Sequence, residues 1–280
     1  MPKQRLDLLL VERGLVESRA KAQALIMAGQ VRVDGQVELK ASAAIAPEAR
    51  LDLDKGPRFV SRGGDKLEAA LVAFPIQVED RVCADVGAST GGFTDCLLKH
   101  GAAKVYAIDV GKNILHWKLR SDPRVIVMEE TNARYLGSLP EPVSLVTIDA
   151  SFISLKILLP VVKGWLAPPL PPSPLPTGRV PARVEGCRGE GCVIALIKPQ
   201  FEAGRKESAR HKGVIRDPAV HQAILVDVLT FAQAHGFSLC GLLRSPVLGP
   251  KGNVEFLAWL GLGNDSMNMP SAVEQVLGIS

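Results

Sequence analysis

The chain has 280 residues, with 33 lysines and arginines against 29 aspartates and glutamates, so its formal net charge is +4. Hydrophobic residues make up 47% and charged residues 22%, which excludes wholesale disorder and fits one large domain plus a small one. The five scattered cysteines form no disulfide framework, and no apolar run approaches the roughly 20 residues that cross a bilayer. We therefore expect a cytoplasmic protein without a signal peptide, a membrane segment or disulfides. The charge allows an anionic partner but does not require one.

Residues 1–55 predict a small α+β domain. Leucines at helical spacing from residue 6 onward predict a helix that Gly14 ends. Ser18 is suited to cap a second helix that runs to Ala28. The alternating segment 31–37 contains an Asp-Gly pair, which is typical of a tight β-hairpin.

Three spaced patterns in this domain resemble a known RNA-binding module. They are Arg-Leu-Asp-x-x-Leu, Ser-Arg-x-x-Ala and Ile-x-x-Gly-x-Val-x-Val-Asp-Gly, and together they resemble the RNA-binding domain of ribosomal protein S-four. The resemblance implies contacts to RNA phosphates, which supply affinity more than sequence choice. The alternative is an ordinary solvated basic face. The candidate RNA-binding residues are Arg5, Arg19, Lys21, Arg32 and Arg62.

From residue 81 onward, apolar runs alternate with helical patterns. This alternation predicts an α/β fold with a mostly parallel sheet that is covered on both faces. We expect a linker at 56–62, a main domain at 63–265 and a C-terminal tail at 266–280. The predicted strands are 82–86, 105–110, 125–128, 145–149, 193–197, 237–243 and 254–260.

A proline- and glycine-rich segment interrupts the main domain at 168–191. Seven of the chain's 20 prolines lie between Pro168 and Pro181, so we interpret the segment as a flexible insertion. Cys187 and Cys192 stand near its end, but no second cysteine or histidine pair lies at a spacing typical of zinc sites. We therefore expect no metal.

A glycine-rich loop follows the first strand of the main domain. Residues 84–94 turn through small side chains into a helix expected at 95–100. Glycines allow close approach of a ligand, and a helix N-terminus offers unpaired N–H groups. The spacing does not match the Gly-x-Gly-x-x-Gly pattern of NAD-binding loops, and it resembles the loop of S-adenosylmethionine-dependent methyltransferases. Asp109 ends the next strand, about 20 residues on, where a carboxylate can hold a ribose diol. A tight turn without a ligand is the alternative.

Charged residues at element boundaries indicate the chemistry. The fourth strand ends in Asp149-Ala150-Ser151-Phe152, without the proline pair of base amino-nitrogen methylation, and no cysteine follows a proline as in carbon-5 methylation. Lys66 lies at a helix start, Lys198 ends the fifth strand and Glu255 begins the last. Each alone is more often a surface charge, although ligands bind at the carboxyl ends of such strands. A ribose hydroxyl is a weak acid, and a lysine beside another cation in a partly desolvated pocket can act as its base.

The Lys-Asp-Lys-Glu order matches the FtsJ-like ribose 2′-O-methyltransferases, and the flanking motifs resemble the TlyA family. Those motifs are Val-Ser-Arg-Gly-Gly-x-Lys-Leu, Asp-Val-Gly-Ala-Ser-Thr-Gly-Gly-Phe-Thr-Asp, Asp-Ala-Ser-Phe-Ile-Ser-Leu and Ile-Lys-Pro-Gln-Phe-Glu-Ala-Gly. The resemblance implies a Rossmann-like, seven-stranded class I methyltransferase sheet. It also implies a catalytic tetrad of Lys66, Asp149, Lys198 and Glu255, with Lys198 as the base and Lys66 as the cation that tunes it.

The same resemblance implies a cofactor, a substrate and further site residues. S-adenosylmethionine would be bound by Asp85, Gly87, Ala88, Ser89, Thr90, Gly91, Gly92, Phe93, Asp109, Val110, Asn132 and Asp149. Phe59 matches an aromatic linker position. The implied reaction is 2′-O-methylation of cytidine in 16S rRNA, 23S rRNA or both, either free or within ribosomal subunits. A ribosome-assembly factor without catalysis and a haemolysin remain as alternatives.

Overall fold

The computed structural model describes residues 2–54, 56–167, 191–204, 213–263 and 266–279. The chain divides into two compact units, Met1–Arg58 and Phe59–Ser280. The expected insertion at 168–191 lies outside the described residues except for Gly191.

The first unit is a small α+β domain. Its elements are β1 (Gln4–Arg5), α1 (Leu6–Glu12), α2 (Arg19–Met27), β2 (Val31–Val33), β3 (Gln36–Val37), β4 (Ala44–Ile45) and β5 (Leu51–Leu53). Strand β1 pairs with β4, and β2 lies between β3 and β5. Ser18 caps α2 by accepting a hydrogen bond from the Lys21 amide, as its position predicts. Asp34 and Gly35 have φ values of 50° and 84°, so the predicted hairpin turn is present.

The second unit is an α/β domain. In chain order its elements are α3 (Gly63–Ala73), β6 (Val82–Val86), α4 (Gly92–Lys99), β7 (Lys104–Ile108), α5 (Trp117–Arg120), β8 (Val125–Met128), a 3-10 helix (Ala133–Tyr135), β9 (Leu145–Ile148), α6 (Leu155–Lys163), β10 (Cys192–Ile197), α7 (Pro199–Glu202), α8 (Pro218–Ala234), β11 (Ser238–Arg244), β12 (Phe256–Gly261) and α9 (Met269–Leu277).

Within the described residues, these strands form one seven-stranded sheet. The order is β11-β12-β10-β9-β6-β7-β8, and β12 runs in the direction opposite to the other six strands. Apolar side chains are buried on both faces of the sheet. The predicted α/β class is therefore confirmed. Since Ile197 at the end of β10 pairs with Phe256 at the start of β12, the residue before β12 lies at the same edge as the carboxyl ends of β6, β9 and β10.

Several element bounds differ from the sequence expectation. Helix α4 begins at Gly92, three residues early, because Gly91 caps it with a φ of 96° that glycine adopts without strain. Glu255 directly precedes β12 and is not part of it.

The segment expected to be a tail contains α9, which buries Ala272 and Val273 in the core. Phe59, expected in the linker, is buried in the second unit, where its ring packs against Gly64 of α3. None of the helices that the structure describes is long and apolar enough to cross a membrane.

Candidate active site

The loop after β6 packs tightly against the end of β9. Gly87 has a φ of 82°, and a Cβ placed on it would lie 2.9 Å from the Asp149 carbonyl oxygen. The amides of Gly87 and Ala88 both donate to the carbonyl of Ile108 at the end of β7. Glycine is therefore required at position 87 by both its backbone conformation and its surroundings.

Asp85 lies beneath this loop and not in the cavity. Its fully buried carboxyl group accepts hydrogen bonds from the hydroxyls of Thr94 at 2.7 Å and Thr147 at 3.1 Å. Burial raises the pKa of Asp85 to about 7. Asp85 is not among the residues that line the cavity, and its predicted contact with a cofactor stays a prediction. Asp85 ties β6 to α4 and β9, which supports the loop from below.

Asp109 orders the opposite side of the loop. One carboxylate oxygen accepts from the Ser89 amide and the other from the Gly111 amide, both at 2.8 Å. Val110, the next residue, is exposed. Asn132 is also exposed and caps the 3-10 helix by accepting from the Arg134 amide. These three residues follow β7 and β8 at the carboxyl edge of the sheet.

A cavity of about 1070 Å³ lies along this edge of the second unit. It brings together the loop and all four charged residues predicted to act in catalysis. Of the predicted residues, those that line it are Arg62, Lys66, Gly87, Ala88, Ser89, Thr90, Gly92, Phe93, Asp149, Lys198 and Glu255. Those that do not line it are Asp85, Gly91, Asp109, Val110 and Asn132. The side chains of Leu115 and Leu119 cover Gly91.

The first lysine–carboxylate pair joins α3 to the start of β12. Lys66 Nζ lies 2.6 Å from Glu255 Oε2, and the exposed fractions of the two side chains are 9% and 1%. Gln200 donates from Nε2 to the other Glu255 oxygen at 3.2 Å. Glu255 is thus compensated on both oxygens, as a buried carboxylate requires.

The second pair joins the ends of β9 and β10. Lys198 Nζ lies 2.6 Å from Asp149 Oδ1, and it also donates to Ser151 Oγ at 3.0 Å and to the Asp149 carbonyl oxygen at 3.2 Å. Because three oxygens surround this nitrogen, its position at the cavity wall is closely defined.

Several residues that line the cavity were not predicted from the sequence, although most of them lie within the motifs named above. Phe152 is 90% exposed, has a φ of 64° that bulky residues rarely adopt, and its ring centroid lies 4.9 Å from that of Phe201. Asn253 is buried and holds a neighbouring lining segment by accepting from the Ile215 amide and donating to the Gly213 carbonyl. A polar residue two positions before Glu255 was the available indication. The lining residues that were not predicted include Ser151, Phe152, Gln200, Phe201 and Asn253.

In the first unit, the predicted RNA-binding residues differ in their surroundings. Arg5 and Arg19 are partly exposed and pair with the buried carboxylate of Asp7, at 3.0 and 2.9 Å. The hydrogen bond from Arg5 is the main cause that holds the pKa of Asp7 well below its usual range. Lys21 and Arg32 are exposed. The arginines therefore have a structural role whether or not they contact RNA.

Comparisons with known proteins identify the families that the two units match. Residues 59–262 match the FtsJ-like methyltransferase family and residues 4–51 match the S4 domain. The chain is 46% identical to YqxC of Bacillus subtilis, over 96% of this chain and 90% of that protein. It is 42% identical to the 16S/23S rRNA (cytidine-2′-O)-methyltransferase TlyA of Mycobacterium tuberculosis, over 93% of this chain and 91% of that protein. A solved structure from Streptococcus thermophilus that carries a hemolysin name is 41% identical, with a TM-score of 0.68, over 99% of this chain and 95% of that chain.

Proposed function

Since the chain belongs to the TlyA family of FtsJ-like methyltransferases, we propose that it methylates the 2′-hydroxyl of cytidine in 16S rRNA, 23S rRNA or both, with S-adenosylmethionine as the methyl donor. Such a reaction would take place in the cytoplasm, where ribosomal subunits are assembled. One observation carries the proposal: two lysine–carboxylate pairs, Lys66–Glu255 and Lys198–Asp149, line the same cavity as the glycine-rich loop.

The lysines have different roles in this proposal. Lys198 acts as the neutral amine, after its ammonium group has released one proton to solvent through the cavity, and it then receives the proton of the ribose hydroxyl. Asp149 and Ser151 orient its Nζ toward the cavity. Lys66 provides a fixed positive charge beside the hydroxyl oxygen, on which negative charge develops during the reaction. Before the reaction, Glu255 compensates the positive charge of Lys66. Since the acceptor is the oxygen of an unactivated hydroxyl, aligning it is as important as removing its proton.

The loop side of the cavity fits the methyl donor. S-adenosylmethionine supplies an electrophilic methyl group on a sulfonium ion. Gly87 and Gly92 carry no side chain toward the cavity, and Phe93 adds an apolar surface. Asp109, already oriented by the amides of Ser89 and Gly111, retains acceptor capacity for a ribose diol. We assign these residues to the cofactor side, with Asp85 as their support.

The acceptor side of the cavity fits an exposed nucleotide. Phe152 presents its ring to solvent at the cavity wall, and its left-handed backbone conformation is the kind of strain that occurs at functional sites. RNA-binding proteins commonly stack unpaired bases on such aromatic rings. We assign Phe152 to stacking on the base of the target nucleotide.

The test is methyl transfer from labelled S-adenosylmethionine to unmethylated 16S and 23S rRNA and to the corresponding subunits, followed by nucleoside mass spectrometry. We expect 2′-O-methylcytidine. Lys198→Ala should lower the rate at least 100-fold, because general base catalysis contributes about 10²–10⁴-fold, and should leave cofactor affinity within about twofold. Lys156→Ala, which breaks the more exposed Lys156–Asp227 pair, is the matched control and should retain activity.

Each other outcome contradicts a named part of the proposal. A methylated base would refute the role of Lys198. Absence of both transfer and cofactor binding would favour an assembly factor without catalysis. Lysis of liposomes by the pure protein that survives Lys198→Ala would favour the haemolysin alternative.

The RNA-binding role of the first unit has its own test. Binding of rRNA fragments is measured against salt concentration, since each neutralised phosphate contributes to the slope. We expect Lys21→Ala to reduce the slope by about 1 and Arg19→Ala by less, because Asp7 already neutralises Arg19. Unchanged slopes in both variants would place the RNA contacts elsewhere.

A further inference from the structure

We propose that Glu68, Cys96 and His100 form a zinc site that links α3 to α4, separate from the cavity described above. Glu68 belongs to α3, Cys96 to α4, and His100 is the residue that ends α4. One carboxylate oxygen, the thiol sulfur and one imidazole nitrogen all lie within 4.8 Å of one another. Within the described residues, these are the three His, Cys, Asp or Glu side chains whose possible ligand atoms lie this close together.

The distance between the sulfur and the oxygen is close to that of a tetrahedral zinc site. With Zn–S near 2.3 Å and Zn–O near 2.0–2.2 Å, a tetrahedron separates sulfur and oxygen by about 3.5 Å. Cys96 Sγ lies 3.7 Å from Glu68 Oε2. His100 Nε2 lies 2.6 Å from the same oxygen, as in a hydrogen bond, and must move back by less than 1 Å to share a metal with it. Cys96 and His100 are four residues apart along α4, so their side chains lie on the same face of the helix.

The proton arrangement is also suited to exchange with a divalent cation. Glu68 Oε2 accepts from the Cys96 thiol and lies at hydrogen-bond distance from the His100 ring. A metal ion would replace the thiol proton and any proton on His100 Nε2, leaving thiolate, neutral imidazole and carboxylate as its ligands. This mixed sulfur, nitrogen and oxygen set suits zinc, whereas magnesium and calcium prefer oxygen alone.

The partial exposure of two of the three side chains gives a fourth ligand access to the metal. Cys96 is fully buried, while the side chains of Glu68 and His100 are 14% and 33% exposed. A water molecule can therefore complete four-coordination from the solvent side. This proposal departs from the sequence expectation of no metal, which considered only cysteine and histidine pairs and could not bring in a carboxylate from α3.

The site would act by linking two helices that support the active site. Helix α3 carries Lys66 one turn or less from Glu68, and α4 begins at the glycine-rich loop. A metal bound only in the folded state stabilises that state by mass action. We therefore infer that zinc raises the thermal stability of the second unit and does not take part in the methylation chemistry.

The experiment uses the full chain, stripped with EDTA, desalted and titrated with ZnCl₂ by calorimetry and with CoCl₂ by absorption spectroscopy. We expect one ion per chain, a thiolate-to-cobalt charge-transfer band in the near ultraviolet, and a rise in Tm with zinc. His100→Ala should weaken zinc binding at least tenfold, and Cys96→Ser should remove the charge-transfer band. Ligand substitutions have this effect because each ligand contributes directly to the metal's coordination.

Matched controls come from the same chain. His235→Ala removes a histidine that ends α8 as His100 ends α4, and Cys240→Ser removes a thiol in β11. Both variants should keep the wild-type affinity and spectrum. If Cys96→Ser does not fold, Glu68→Gln and His100→Ala still decide, because both side chains are partly exposed. Zinc binding of equal strength in His100→Ala and wild type, or no saturable uptake by wild type, would overturn the proposal. None of these measurements depends on methyl transfer.

Discussion

Removal of the buried charge of Glu255 should lower the free energy of unfolding of the protein and abolish its activity. In Glu255→Gln, Lys66 keeps its ammonium group at 9% exposure but loses the carboxylate that lies 2.6 Å away. The amide oxygen of glutamine can still accept a hydrogen bond, although it carries no charge. The result is an uncompensated positive charge in a poorly solvated place.

The expected magnitude follows from the burial of the pair. Breaking a buried ion pair by removing one partner costs about 3–5 kcal/mol, and we expect the lower end because the amide retains one acceptor. At roughly 2–4 °C per kcal/mol for a domain of this size, the Tm should fall by about 6–12 °C. Lys156→Ala removes a pair whose side chains are 31% and 59% exposed, and it should cost less than about 1 kcal/mol.

The assay is calorimetric unfolding of wild type, Glu255→Gln, Lys66→Met and the double variant. Lys66→Met combined with Glu255→Gln removes both charges, so the double variant should be more stable than the sum of the single changes predicts. All three variants should lose methyl transfer. A Tm change below about 2 °C in Glu255→Gln, or strict additivity in the double variant, would refute the reasoning that the pair is buried and coupled.

Three further perturbations test other parts of the site. Burial raises the pKa of Asp85 to about 7, so between about pH 4 and pH 7 the folded protein keeps a proton on Asp85 that the unfolded chain releases. The free energy of unfolding should therefore fall as the pH rises from about 4 to 7. Asp85→Asn should flatten this fall, measured by urea unfolding at several pH values. Gly87→Ala should abolish measurable cofactor binding in calorimetry, whereas Gly137→Ala, in open space, should not; equal affinities would contradict the packing argument. Phe152→Ala should lower kcat/KM for rRNA by about 10-fold or more without changing cofactor affinity, since stacking on an aromatic ring contributes about 1–3 kcal/mol per base; an unchanged kcat/KM would remove Phe152 from the acceptor side.

The predictions from the sequence that the structure confirms rest on local physics. The Ser18 cap and the Asp-Gly turn depend on a few consecutive residues, and each is present. The strands 82–86 and 125–128 match the observed bounds because short apolar runs between helical patterns are typical of strands buried on both faces of a parallel sheet. Helix starts were less well predicted, as at Gly92, where the left-handed Gly91 allows the chain to turn into α4 earlier than the side-chain pattern indicates.

The meeting of distant side chains was decided by the tertiary structure. Lys66 and Glu255 are 189 positions apart, and they meet because antiparallel β12 inserts beside β10 and begins where β10 ends. Nothing in the local pattern encodes that strand order. The same holds for Asp85, whose place beneath the loop depends on Thr94 and Thr147 from two other elements.

The fold class, the glycine-rich loop and the charged residues at strand ends could be predicted from the sequence, because hydrophobic patterning, turn chemistry and motif spacing are properties of neighbouring residues. The three-dimensional arrangement of the chain was needed to show which of those charges are buried as pairs and which residues face the cavity. It was also needed to show that Glu68 meets Cys96 and His100 across two helices. Burial and long-range contact depend on how elements pack, and packing is a property of the whole chain.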